Sequence, residues 1–164
     1  MNMTHYMALL ADNQPWNLLF FMAVPVILAE TVAITELAVL FNRSVGGAMR
    51  ALNRWAGLIG GFYFAGVFVY LMKEAAIPLT LGGGWRGPAD VIAVGFYLFG
   101  IVPLGGIALL ELGVIGTAGD ETARLKLHAG LVGLFLVTAH VAMIAGMLDP
   151  AVLGFGGAAN HMSH

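Results

Sequence analysis

Five ionisable side chains stand inside otherwise apolar stretches: Glu30, Glu36, Glu111, His128 and His140. A charge at mid-bilayer costs about 2.5–3.5 kcal/mol even on the lenient insertion scale, so groups placed there mark function by default. Carboxylates and imidazoles suit two kinds of chemistry. They can ligate a transition metal, or they can pass a proton between groups of similar basicity. Two bland readings compete: a buried Glu–His pair that only fixes helix register, and boundary side chains reaching back to the headgroups.

A second set is softer. The chain has nine methionines and no cysteine. Its N-terminus runs Met1-Asn2-Met3-Thr4-His5-Tyr6-Met7, its C-terminus ends His161-Met162-Ser163-His164, and His140, Met143 and Met147 follow one another at i, i+3 and i+7. That last spacing puts three ligand types on one helix face. Thioether and imidazole are the donors that suit Cu(I). The expectation is an outward copper site drawn from Met3, His5, Met7, His140, Met143 and Met147. Glu30, Glu36, Glu111 and His128 would form a second metal site or a proton path. Against this, methionine is a common filler of apolar cores.

Haem b is the alternative cofactor, with His128 and His140 as axial ligands. The two lie 12 residues apart on one stretch, about 18 Å along a helix and about 120° apart around it. One haem cannot take both, so haem fits the spacing less well than copper. A third reading is a non-catalytic accessory subunit of a larger membrane complex, or a small permease. Nucleophilic catalysis has no candidate: there is no Gly-x-Ser-x-Gly, no His-Glu-x-x-His and no phosphate-binding glycine loop.

The elements that must position these groups follow from composition. Of 164 residues, 60% are hydrophobic and 10% charged, and the mean hydropathy is +0.90. A soluble domain carries roughly 25% charged residues, so this chain cannot cover a water-facing surface. A net charge of −2 without a basic run offers nothing to nucleic acid. The fold expected is an all-α integral membrane protein, a four-helix transmembrane bundle. Residues 1–15 read as a short interfacial amphipathic helix. Spans are expected at about 16–41, 55–77, 89–115 and 123–148, and residues 149–164 form a Gly/Ala-rich tail.

Arg43, Arg50 and Arg54 fall between the first two spans, and Arg124 with Lys126 between the last two. The positive-inside rule then places both termini outside, in a bacterial inner membrane. Rise per residue sorts the polar groups by depth. Glu36, Glu111 and His128 fall in one tier toward the arginine-bearing side, with Glu30 and His140 nearer the other. The 23 glycines suit close helix packing in lipid. Pro25 and Pro103, inside spans, free carbonyls one turn back at Phe21 and Phe99. The partners expected are the lipid bilayer and further copies of the chain or a larger membrane complex.

Overall fold

The computed structural model describes residues 3–42, 46–116 and 120–150, and the His-Met-Ser-His tail lies outside that range. The described chain is helical, and four of its helices are long and apolar enough to cross a membrane. The protein is an integral membrane protein with an all-α architecture. A short helix α1 (His5–Ala11) precedes the four spans. The spans are α2 (Trp16–Phe41), α3 (Gly47–Gly82), α4 (Pro88–Glu111) and α5 (Glu121–Met147).

Prolines shape three of the four spans. Pro25 and Pro78 each follow a π-helical turn, Leu19–Ala23 in α2 and Met72–Ala76 in α3. Proline removes a helix hydrogen bond and its ring presses on the carbonyl four residues back. A turn widened by one residue moves that carbonyl aside and lets the helix continue. This is why α3 runs on to Gly82 instead of stopping near residue 77. In α4 the break falls at Gly100, between Pro88–Phe99 and Ile101–Glu111, three residues before Pro103.

The ends depart from a hydropathy reading for local reasons. Helix α3 begins at Gly47, well before residue 55, because residues 47–54 hold helix while carrying Arg50 and Arg54. Helix α4 stops at Glu111, not 115. There the Val114 N–H donates to the Leu109 carbonyl at 2.9 Å, and the Gly113 N–H to that of Leu110 at 3.1 Å. Gly113 sits at φ +74°. Those two bonds around a left-handed residue are the Schellman stop, which the apolar Leu112, Val114 and Ile115 conceal. Helix α5 starts where Asp120 caps the Ala123 N–H at 2.7 Å.

The spans pack in the ring order α2–α3–α4–α5, and α2 touches α5 least of the neighbouring pairs. One apolar core fills the middle, around Val32, Phe64, Leu104, Ile107, Val132 and Phe135. A second lies under α1, around Tyr6, Leu10, Leu71, Val94 and Leu98. Helix α1 is therefore docked on the bundle and does not lie free at the interface. Tyr6 and Leu10 are its buried residues, and the Thr4 hydroxyl donates to the Gly146 carbonyl at 2.7 Å.

Candidate functional site

Three helices bring one carboxylate–imidazole–carboxylate array together near the arginine-bearing end. Helix α2 supplies Glu36, the last residue of α4 is Glu111, and α5 supplies His128. His128 Nδ1 lies 2.8 Å from Glu36 Oε2, and His128 Nε2 lies 3.5 Å from Glu111 Oε1. Glu36 and His128 are buried, and only 12% of the Glu111 side chain is exposed. The contacts are close in distance and off-line in direction. Glu36 Oε1 and both ring nitrogens have no hydrogen-bond partner of good geometry.

Polar side chains of α3 and α5 reach the two carboxylates. Asn53 of α3 donates from Nδ2 to Glu36 Oε2 at 3.2 Å and to the Thr35 hydroxyl at 2.9 Å. Arg124 reaches Glu111 Oε2 at 3.3 Å and the Leu110 carbonyl at 3.2 Å. Fully ionised, Glu36, Glu111, His128 and Arg124 sum to zero charge, the condition under which ionic groups tolerate burial. The array forms the head of a vestibule of about 480 Å³, whose lining includes Arg50, Arg54 and Glu121. Asn53 carried no sequence signal, because it lies ahead of the span that hydropathy finds.

Depth grouping put Glu36, Glu111 and His128 in one tier, and the structure brings those three together. Glu30 is not among them. It is exposed on α2 and lines a different cavity. Among the described residues no group of three His, Asp or Glu side chains stands as a metal-holding cluster.

At the other end, His5 is a structural latch. Its backbone N–H donates to Asp90 Oδ1 at 2.6 Å, and its ring Nδ1 meets Asp90 Oδ2 at 2.5 Å. The Arg86 N–H adds a third bond to the carboxylate at 3.1 Å. Arg86 also donates from its guanidinium to the Met3 carbonyl at 2.6 Å. Asp90 is 0% exposed, because α1 closes over it. Burial of α1 pushes the Tyr6 phenol up to about 12.

The soft ligands divide between places. His140 and Met143 line a cavity of about 260 Å³ together with Met22 and Glu30. His5 lines another. Met3, Met7 and Met147 line neither, and Met147 is 66% exposed. Of the soft side chains, His140, Met143 and Met22 thus share one cavity, and the others lie outside it. Of the two histidines weighed as haem ligands, His128 stands between the Glu36 and Glu111 carboxylates and His140 lines the cavity of about 260 Å³.

The profile of a family described as a family of unknown function, DUF6803, matches residues 1–162. The chain belongs to this family. No curated protein and no solved structure matches it.

Proposed function

We propose that this member of the DUF6803 family handles protons inside the membrane, with Glu36, His128 and Glu111 as a relay between the vestibule and the bilayer interior. The observation that supports it is the placement of one buried imidazole between two carboxylates of different helices, with a carboxylate oxygen 2.8 Å from one ring nitrogen and 3.5 Å from the other. An imidazole accepts a proton at one nitrogen and releases one from the other. Glu111, paired with Arg124 at the vestibule wall, is the entry group. Glu36, held by Asn53, is the inner group. Such a relay serves a redox or metal-handling membrane protein, where charge movement needs a compensating proton. The positive-inside rule makes the vestibule end cytoplasmic and α1 external, as in a bacterial inner membrane.

Infrared difference titration of lipid-reconstituted protein tests the relay. The carboxyl stretch of Glu36, identified by its loss in Glu36→Gln, should titrate with pH. His128→Gln should move its midpoint by a unit or more, a tenfold change in proton affinity. A Glu36 band whose titration is indifferent to His128 would sink the reading. Glu74→Gln, at an exposed ion pair with Lys73, should leave the band unchanged.

A further inference from the structure

The α1-side cavity lies between α2 and α5, which supply most of its lining and which pack least closely of the neighbouring spans. Its floor is buried: Tyr6, Pro25, Ala29, Phe64, Phe135 and Thr138. Its rim is lipid-facing, with Met22 36%, Val26 38% and Met143 37% exposed. On a spanning helix in a bilayer, such exposed apolar side chains meet acyl chains. Aromatic rings from α2, α3, α4 and α5 (Phe21, Phe64, Tyr97 and Phe135) form its walls. The Tyr97 hydroxyl is spent on the Phe21 carbonyl at 2.5 Å.

Two polar groups remain unspent. Glu30 is exposed near the middle of α2 and has no hydrogen-bond or ion-pair partner among the described residues. His140 directs Nδ1 at the Leu136 carbonyl at 2.6 Å. A carbonyl only accepts, so that nitrogen carries the hydrogen and Nε2 of the neutral ring is an acceptor. A carboxylate at such a depth is expensive unless something meets it. Glu30 and Nε2 of His140 thus offer two acceptors to whatever enters.

Helix rise sets the axial part of their separation. Glu36 and His128 are in contact, which levels α2 against α5. Glu30 lies six residues above that level and His140 twelve. At ~1.5 Å per residue the offset along the bundle is about 9 Å. A six-membered ring with para hydroxyls, hydrogen-bonded at both ends with O···O distances of about 2.7 Å, bridges a gap of that order. A volume of about 260 Å³ exceeds the roughly 150 Å³ that takes benzene by enough for a substituted single ring.

We propose that this cavity binds the ring of a membrane quinol, a prenylated para-benzoquinol. Its two hydroxyls donate to Glu30 and to His140 Nε2, and its tail leaves through the α2–α5 seam. The reduced form is selected, because the oxidised ring presents two carbonyl acceptors to two protein acceptors. A copper ion would use His140, Met22 and Met143 but leave the aromatic space empty. The proposal concerns binding alone and does not rest on the proton relay.

The test uses the full chain in phospholipid nanodiscs, titrated without oxygen with decylubiquinol. We expect saturable binding of one quinol per chain, at least tenfold weaker in Glu30→Gln and in His140→Phe. The oxidised quinone should also bind at least tenfold more weakly than the quinol. Glu36→Gln should bind as the unaltered chain does, which keeps failure of the relay separate from failure of this site. Absence of saturable binding, undiminished binding in both variants, equal binding of the two redox forms, or stoichiometric copper in a cavity that refuses quinol would each overturn the proposal. Should the variants not fold, photolabelling of the unaltered protein with an azido-benzoquinol decides it. Adducts within residues 21–30 and 135–143 support the site, and adducts confined elsewhere overturn it.

Discussion

The hydroxyl of Tyr97 donates to the carbonyl of Phe21 at 2.5 Å, from α4 diagonally across the bundle to α2. That carbonyl lies one turn before Pro25, whose ring nitrogen has no hydrogen to give it. Tyr63 serves the neighbouring Phe20 carbonyl at 2.9 Å, so two tyrosines satisfy consecutive groups of one widened turn. Tyr97→Phe should cost about 1 kcal/mol or more, the penalty of an unsatisfied buried acceptor. Pro25→Ala returns an N–H to the helix. The cost of Tyr97→Phe should therefore shrink in a Pro25→Ala background. Steric-trap unfolding of the four proteins in the cycle measures the coupling, and strict additivity would refute the link.

Helices α3 and α4 approach so closely at Gly61 that a Cβ there would lie 2.8 Å from the Leu104 carbonyl oxygen and 2.5 Å from Ala108 Cβ. Backbone cannot move aside as a flexible side chain can. Gly61→Ala should destabilise by about 1–3 kcal/mol, the usual cost of overpacking. Gly66, five residues on, has nothing within 4 Å of its Cβ position. Gly66→Ala should be neutral or slightly stabilising through helix propensity. Thermal unfolding in detergent compares the two, and equal effects would remove the packing argument.

The spans and the Glu36–Glu111–His128 grouping were legible because hydropathy and helix rise are one-dimensional quantities. What escaped was two-dimensional or local. The widened turns let α3 pass through Pro78, and hydropathy does not register a hydrogen bond displaced by one residue. Asn53 touches Glu36 only because α3 starts early and packs on α2. The latch joins residues 85 apart in sequence, His5 and Asp90, and neither residue alone announces a partner. Methionine and histidine counts suggested one outward site, but composition cannot say that His5 faces Asp90 while His140 faces a seam.

That latch should hold α1 in place. Asp90 accepts from two backbone N–H groups and one ring nitrogen while fully buried. Asp90→Asn keeps the shape but loses charge-assisted bonds, worth about 1.5–3 kcal/mol each. Loss of protection should be local. Hydrogen exchange of amides 5–11 should rise about tenfold or more, while the middle of α3 keeps its protection. Uniform loss across the bundle would instead make Asp90 a general core residue.

Tyr6 gives the latch region a pH dependence whose sign can be worked out. Its phenol is raised from the ordinary 10 to about 12 by burial, because desolvation penalises the phenolate. The neutral form therefore favours the docked state. Its contribution is complete below pH 10, falls as pH rises from 10 toward 12, and is gone above it. A shift of two units corresponds to about 2–3 kcal/mol at most. Tyr6→Phe keeps the ring, which packs at a tilt of 43° against Tyr97 with centroids 5.2 Å apart, and has no proton to lose. Trp85 packs against the same cluster and serves as a reporter once Trp16 and Trp55 are replaced by Phe. Between pH 9 and 11.5 the Trp85 emission should shift toward that of exposed indole in the Tyr6 protein, and much less in Tyr6→Phe. Identical alkaline profiles in the two proteins would show that Tyr6 is not the group responsible.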